Sequence, residues 1–475
     1  MRTRARLVAA GAALAAATLA AVPDPAAAHG LVGRQDLPIP RWLFAWAAAT
    51  VLVASFVGLA VLWPRPRLQQ LQERIVASVP RTLDVLAGAL GVALFGLVLY
   101  AGLAGSQSAT ANLAPTVIYV LFWVGLPFAS VIFGDVFRAI NPWRAIARAV
   151  AWAARRIAGA GSLPEPLAYP RRLGRWPAVL TVLSFAWVEL VYVNRTDPSQ
   201  LAIMALAYAA VQLVGMSLYG IEPWEQRGDG FAVYFNLFSR LGPLRWRDGR
   251  LAVHRPLEGV VGLTPVPGTV PLLCSMIGTT SFDGFSQGQT WNSLAPDIQR
   301  RFLDLGLSAD TALEITFTIG LVVMVLLVGL LFRLGVAGMH TVGEGHTTEE
   351  LAGKFAHTLV PIALAYVVAH YFSLLVYNGQ ATAYLASDPL GHGSDLFGTA
   401  SATIDYGVIS ATGIWYVQVA ALIVGHVCGL ILAHDRAIAM YRSARDATRS
   451  QYWMLAVMVS FTSLGLWLLS AANQA

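Results

Sequence analysis

The stretch that decides the fold is FAHTLVPIALAYVVAHYFSLLVYNGQATAYLASDP, at residues 355–389. Its first two thirds are apolar over about 22 residues, the length that a helix needs to cross a bilayer. Tyr366, His370, Ser373 and Tyr377 recur at helical spacing and therefore share one face of such a helix. Because hydrocarbon offers the ring nitrogens of His370 no partner, this face must point at other protein or at water. The pattern indicates either a structural hydrogen bond between helices or a buried polar site centred on His370.

The composition of the chain is that of a membrane protein. Hydrophobic residues make up 56% of the 475 residues and charged residues 12%, a balance that excludes the soluble globular class. The formal net charge of +6 does not indicate a nucleic-acid partner, because the arginines collect in particular loops. No Walker, GxSxG, HExxH or GxGxxG motif occurs in the sequence, so nucleotide-driven and serine-triad chemistry have no support.

Apolar stretches predict an all-α fold, a polytopic bundle of transmembrane helices with about ten spans. The spans are expected at residues 42–63, 83–103, 116–134, 177–194, 200–220, 265–282, 313–335, 357–378, 413–433 and 453–471. The stretch at 265–282 differs from the others because it holds three prolines and two glycines. This composition predicts a broken or re-entrant helix, which is tolerated at membrane depth when it is buried in protein or lines a cavity.

Residues 1–28 have the pattern of a cleaved secretory signal peptide. Three arginines precede an apolar core, and an A-x-A cleavage site follows at residues 26–28. Cleavage would leave residues 29–475 as a single integral membrane helical domain, with His29 as its N-terminus outside the cytoplasm. A chain that begins His-Gly has the groups to chelate copper, although a free amino terminus explains the same residues.

Basic residues are distributed unevenly among the loops between the spans. With an extracytoplasmic start, 24 lysines and arginines fall in cytoplasmic loops and five in outer ones. Because Lys and Arg favour the cytoplasmic side, this bias predicts a multi-pass protein of the bacterial cytoplasmic (inner) membrane. In the third cytoplasmic loop, at 221–264, the aromatic-rich run GFAVYFNLFSRLGPL predicts an amphipathic helix on the membrane surface.

Ionisable residues inside or at the ends of spans are the candidates for chemistry. They are His370 in the eighth span, His426 in the ninth, Asp283 at the outer end of the sixth and Glu189 in the fourth. Their depths along antiparallel helices predict that the first three converge on one outward-opening polar cavity. Glu189 joins them only if its helix packs against the eighth or the ninth. For each residue the alternative is a polar pair between helices that serves the structure alone.

The residue types suit two kinds of chemistry. Two histidines and a carboxylate can hold Zn²⁺ or another divalent metal with an open position for water. His370, His426 and Asp283 are therefore the candidate metal ligands and, with Glu189, the candidate catalytic residues. The same set suits a proton relay in a transporter.

Four more polar side chains are candidates for binding a substrate. Tyr366 and Tyr377 share the helix face of His370, and Tyr208 and Gln212 form a second polar stripe on the fifth span.

Several segments taken together resemble those of bacterial membrane proteins known as fenitrothion hydrolases. These segments are HGLVGRQDLPIPRWLFAW, TSFDGFSQ, FAHTLVPIALAYVVAHYFSLLVYNGQ and AHDRA. The resemblance runs over nearly the whole mature chain, and the eighth-span stretch is its most specific part. It implies hydrolysis of an organophosphorus triester to a nitrophenol and a dialkyl thiophosphate, with no established catalytic residues to carry over. A metal held by His370, His426 and a carboxylate would supply the activated water for this reaction.

A secondary transporter is the alternative from a different class. In it the broken sixth helix would serve as the gate, and Glu189 and the histidines would move protons or bind ions. The expected partners are a small lipophilic molecule and the lipid bilayer, and no nucleic acid. The sequence leaves the oligomeric state open.

Overall fold

The computed structural model of the protein describes residues 41–158, 164–247, 249–342 and 345–472. The predicted signal peptide at 1–28 and the predicted mature N-terminus at His29 lie outside these described residues.

The described chain is helical apart from one small sheet, so the all-α prediction is confirmed. The helices are α1 (Arg41–Leu62), α2 (Arg81–Ala104), α3 (Leu113–Phe133), α4 (Val136–Ile140), α5 (Pro142–Ala158), α6 (Trp176–Leu190), α7 (Pro198–Tyr219), α8 (Ile221–Arg227), α9 (Gly230–Ser239), α10 (Glu258–Val261), α11 (Thr269–Ser286), α12 (Gln289–Asp304), α13 (Ala309–His340), α14 (Thr348–Phe355), α15 (Leu359–Asn378), α16 (Thr382–Ser387), α17 (Ala411–Met440) and α18 (Ala444–Ala472). The strands are β1 (Arg74–Ser78), β2 (Leu244–Arg247) and β3 (Arg250–Val253), which pair antiparallel in the order β1-β3-β2.

A helix lies at each of the ten predicted spans. Six helical segments within the described residues are long and apolar enough to cross a membrane by length and composition: α2, α3, α7, α13, the run from α14 to α16, and α17. Helices α1 and α6 contain shorter apolar segments. The middle of α3, Thr116–Gly125, is a π-helix, a local widening that is frequent at functional sites.

Helix α11 lies at the centre of the bundle and is unbroken. It packs against α6, α13, α15 and α18, and most of its side chains are buried. The helix break predicted within 265–282 is therefore wrong. Pro265 and Pro267 precede the helix, and Pro271 lies in its first turn. Backbone N–H groups of a first turn have no partner inside the helix, so a proline there costs little.

The segment that folds back into the bundle is instead residues 221–239. Helix α8 leaves the end of α7, and between α8 and α9 the Asp229 carboxylate accepts a 2.8 Å hydrogen bond from the hydroxyl of Tyr208, halfway along α7. Nearly every side chain of α9 is buried, which makes the surface helix predicted here wrong. The run is apolar on all sides rather than amphipathic, and such a helix belongs inside a protein.

Hydrogen bonds between loops place them on two sides of the bundle. The arginine-rich side is defined by the described segments 63–80, 134–158, 164–175, 240–247, 249–268, 341–342 and 345–347 and by the end of α17. On this side β1 pairs with β3, and the backbone N–H groups of Arg67 and Leu68 donate to the Asp435 carboxylate. On the opposite side, the Ser106 N–H donates to Leu390 O at 2.7 Å and the Tyr119 hydroxyl to Arg195 O at 2.7 Å. Successive loops thus lie on alternating sides of the bundle, as expected for consecutive helices that run antiparallel.

Candidate functional site

The centre of the site is a contact between His370 of α15 and Asp283 of α11, which is an ion pair when the imidazole is protonated. The Nε2 of His370 lies 2.8 Å from Oδ2 of Asp283, and both side chains are largely buried. A Cβ placed on Gly284 would lie 3.5 Å from Nδ1 of His370, an ordinary van der Waals distance, so the imidazole ring lies directly against α11 at this glycine. Two residues that the sequence placed at similar depth are therefore in direct contact.

Asp283 has two further donors. The side-chain amide of Gln287, one helical turn along α11, donates to Oδ1 at 3.0 Å. The hydroxyl of Tyr371 hydrogen-bonds to the same carboxylate, and its ring centroid lies 4.8 Å from that of His370. Three side chains from two helices thus hold the Asp283 carboxylate in one orientation.

Glu189 lies beside this ion pair. Its carboxyl group interacts electrostatically with Asp283, and it acts in the same way on three tyrosine hydroxyls of the surrounding helices, those of Tyr119, Tyr234 and Tyr371. Glu189 also interacts with Trp123 in the π-helical part of α3. Helix α6 brings Glu189 here by packing against α11, a contact that the sequence-based expectation did not consider.

His426 does not join the group. Its Nδ1 lies 2.7 Å from the carbonyl oxygen of Leu422 on its own helix, and its buried Nε2 has no hydrogen-bond partner among the described residues. Within the described parts of the chain, no three His, Cys, Asp or Glu side chains are placed to hold a metal ion. A catalytic zinc takes three protein ligands, so zinc binding by His370, His426 and Asp283 stays a prediction, and of the three only His370 and Asp283 are in direct contact.

A small cavity adjoins His370. Its volume is about 30 Å³ and its lining includes Thr280, Ser281, Gly284, Tyr366 and His370, which is room for about one or two waters. The hydroxyls of Thr280 and Ser281 donate to carbonyls of α11 at 3.2 and 2.8 Å, so their oxygens remain acceptors toward the cavity. The Tyr366 hydroxyl donates to Phe461 O at 2.9 Å and contributes to the wall.

The other predicted substrate-binding residues lie away from this cavity. The Tyr377 hydroxyl donates to Ile409 O at 2.9 Å, in the loop on the opposite side. Tyr208 bonds to Asp229, and Oε1 of Gln212 accepts the indole N–H of Trp224 at 2.8 Å. The last two residues hold α8 and α9 against α7, so their polar stripe has a structural explanation.

Sequence reasoning missed four residues of the site. Gln287 follows Asp283 by one helical turn, a spacing that was visible in the sequence. Tyr371 is adjacent to His370 but off its polar stripe, while Trp123 and Tyr234 come from distant helices. The packing of α9 against α6 and of α15 against α11 brings them together, with Trp123 of α3 in ring contact with Phe185 of α6 at 4.5 Å between centroids.

No family model, curated protein or solved structure matches this chain. We therefore infer its function from the geometry of the site.

Proposed function

We propose that this membrane protein exchanges protons at the cluster formed by Asp283, His370 and Glu189, as the proton-coupling site of a secondary transporter. The observation that carries the proposal is the 2.8 Å ion pair between His370 and Asp283 inside the helix bundle, with a second carboxylate beside it. Ionisable side chains are costly at membrane depth and in proteins mark ion and proton pathways.

The cluster has the parts that a proton-exchange site needs. Nε2 of His370 faces Asp283, which leaves Nδ1, next to the cavity-lining Gly284, to take a proton from water. Uptake converts the neutral imidazole to an imidazolium, whose charge Asp283 stabilises. Release of that proton leaves the two carboxylates close together, and their mutual repulsion favours taking up another.

The size of the cavity supports proton exchange over direct binding of a bulky molecule. About 30 Å³ holds water, and water brings protons to a buried histidine. A drug-sized ligand needs roughly 300 Å³ or more, so the helices around His370 would have to separate to admit one.

A hydrolase is the second candidate, and the orientation of His370 favours it. One ring nitrogen is held by a carboxylate and the other adjoins a water-sized cavity, which is the arrangement of a general base with its orienting acid. The resemblance to fenitrothion hydrolases suggests a phosphotriester as the substrate. A water deprotonated by His370 would attack its phosphorus and displace the nitrophenol. No step of this mechanism needs His426.

The experiment is a pH jump on the full chain reconstituted in liposomes and adsorbed to a solid-supported membrane. Proton binding in the cluster should give a transient current between about pH 6 and 8, where histidine titrates. We expect Asp283→Asn and His370→Gln to reduce it to the level of empty liposomes. Glu258→Gln is the matched control, since Glu258 is a buried carboxylate on the arginine-rich side, bonded to the Gln72 N–H.

A second assay on the same liposomes separates the two candidates. The assay measures release of nitrophenol from a nitrophenyl phosphotriester. If the natural protein released nitrophenol without a transient current, and His370→Gln did not release it, the protein would be a hydrolase. An undiminished current in a well-folded Asp283→Asn variant would refute proton exchange at this cluster.

A further inference from the structure

A separate cavity lies on the arginine-rich side, among α4, α8, α9 and the segment at 262–268. Its volume is about 160 Å³. The charged residues that line it are Arg138, Arg175, Arg227, Arg240, Asp135 and Glu225. Positive charge therefore exceeds negative charge around the space.

Both carboxylates of this lining already have partners. Glu225 lies 2.7 Å from Arg138 and 3.3 Å from Arg144. Asp135 accepts the side-chain amide of Asn236 at 2.7 Å and the backbone N–H of Arg138 at 3.2 Å. These contacts leave the remaining arginines of the cavity without a carboxylate of their own.

Arg175 is the clearest case. It is 8% exposed, its Nη1 donates to Thr264 O at 3.0 Å and to the Thr269 hydroxyl at 2.6 Å, and its buried Nε has no partner among the described residues. Its charged neighbours are Arg240 and Arg227, and burial together with these two guanidinium groups lowers the pKa of Arg175 to about 10. An arginine this buried normally has an anionic partner.

Arg240 repeats the pattern from the end of α9. Its Nε donates to Asn236 Oδ1 at 2.9 Å, and no carboxylate of the described chain lies within ion-pair distance. Burial and the charge of Arg245 lower the pKa of Arg240 to about 10. The buried guanidinium group of Arg175 and the half-buried one of Arg240 thus face one cavity. Asp135 attracts Arg240, but its carboxylate already accepts hydrogen bonds from Asn236 and Arg138.

We propose that this cavity is a binding site for a phosphate group, held by Arg175 and Arg240 with Arg227 at its edge. Guanidinium forks match phosphate oxygens in geometry and charge, and a dianion would neutralise the charges of both Arg175 and Arg240. Arg175 immediately precedes α6, and Thr269, which it contacts, is the first residue of α11. Arg175 thus connects the cavity with the first turns of both helices.

The phosphate group has two sources with the same chemistry: phosphate in solution, or the headgroup of an anionic lipid at the membrane surface. The site lies on the arginine-rich side, where both are available if that side faces the cytoplasm. The proposal does not depend on proton exchange at Asp283, because the two cavities share no residue.

The test is thermal unfolding of the full chain, titrated with inorganic phosphate in detergent against sodium chloride at equal ionic strength. A lipid arm uses nanodiscs of phosphatidylcholine with and without phosphatidic acid. We expect phosphate, phosphatidic acid or both to raise the melting temperature beyond the salt control. A rise with phosphate assigns the free anion, and a rise with phosphatidic acid alone assigns the headgroup.

Variants fix the effect to this cavity. Arg175→Met and Arg240→Met should each increase the ligand concentration needed for half of the rise in melting temperature about tenfold or more, as expected for a lost charge-assisted hydrogen bond. Arg240→Lys should increase it less. Because Arg240 also bonds to Asn236, the melting temperature of Arg240→Met is first measured without phosphate, and each rise is taken relative to that value. Arg172→Gln, an exposed arginine of the same loop, should match the natural protein. The proposal would be overturned if neither phosphate nor phosphatidic acid raised the melting temperature. It would also be overturned if both Met variants showed the same rise as the natural protein.

Discussion

Gly425 of α17 packs so closely on Ala365 of α15 that a Cβ placed on the glycine would lie 2.3 Å from the alanine Cβ. The same Cβ would lie 2.8 Å from Pro361 O. Close approach of this kind is what small residues allow between membrane helices. It also explains the position of His426: since Gly425 faces α15, the next residue points about 100° away around the helix.

The first prediction tests this contact with Gly425→Ala. The added methyl group meets backbone, which cannot move aside cheaply, so we expect destabilisation of about 1–3 kcal/mol. Thermal unfolding in detergent measures it. Gly329→Ala on α13 is the matched control, because nothing lies within 4 Å of its Cβ position; it should be neutral or stabilise by up to about 1 kcal/mol. Equal melting of the two variants would contradict the close packing.

The second prediction concerns Asp229, the carboxylate at the turn between α8 and α9. It accepts four hydrogen bonds, from the Asn141 amide, the Trp143 indole, the Tyr208 hydroxyl and the Ala232 N–H. Asp229→Ala leaves these buried donors unpaired and should cost about 3–5 kcal/mol.

The control for this variant is Asp197→Ala, which removes a helix cap at the start of α7. It should cost only about 1 kcal/mol. If thermal unfolding showed the same loss of stability in Asp229→Ala and Asp197→Ala, Asp229 would have no special role in holding α8 and α9.

The third prediction separates the two buried histidines. His426→Met replaces a ring whose Nε2 lacks a partner with an apolar side chain of similar size, so proton currents should persist and stability should not fall. His370→Met should abolish the currents, because Asp283 then has no cation beside it. Loss of current in a folded His426→Met protein would return this histidine to the site.

The fourth prediction concerns metals. Because His370 and Asp283 lack a third ligand among the described side chains, we expect exhaustive chelation to leave both the transient current and the melting temperature unchanged. Elemental analysis of the purified protein checks the starting metal content. Stoichiometric zinc whose removal abolished the current would contradict this expectation.

The fifth prediction is topological. In a protein whose Cys274 and Cys428 are replaced by alanine, cysteines at Ser108 and Asp395 should react with an impermeant reagent from one face of the membrane. Cysteines at Gln70 and Ser443 should react only from the other face, which the arginine bias predicts to be cytoplasmic. Labelling of Ser443 together with Asp395 would mean that the chain between α15 and α18 crosses differently.

The sequence predicted helix positions well and side-chain partners only in part. Hydropathy placed a helix at each span because crossing a bilayer constrains length and composition strongly. Depth along helices was enough to pair His370 with Asp283. It failed for His426, because depth does not specify which way a side chain points around its helix.

Packing decided the remaining differences. The run at 230–239 is too short to span a membrane and reads as a surface helix, yet α3 and α6 provide a buried place for it. Pro265 and Pro267 suggested a broken helix, but whether a proline interrupts or precedes a helix depends on where its first turn begins. Tyr208 and Gln212 formed a polar stripe whose partners, Asp229 and Trp224, were in a segment predicted to lie outside the bundle.

The two buried aspartates differ in when their partners are synthesised. The side chains that satisfy Asp229 are Asn141, just before α5, Trp143 of α5 and Tyr208 of α7, so they have left the ribosome before it. His370, the partner of Asp283, lies 87 residues later in the chain. Its synthesis follows that of Asp283 by about 4–17 s at roughly 5–20 residues per second. Gln287, on the same helix, is the one local donor that emerges with Asp283. The hairpin of α8 and α9 can therefore enter the membrane with the Asp229 carboxylate already hydrogen-bonded, while Asp283 gains His370 only when α15 inserts.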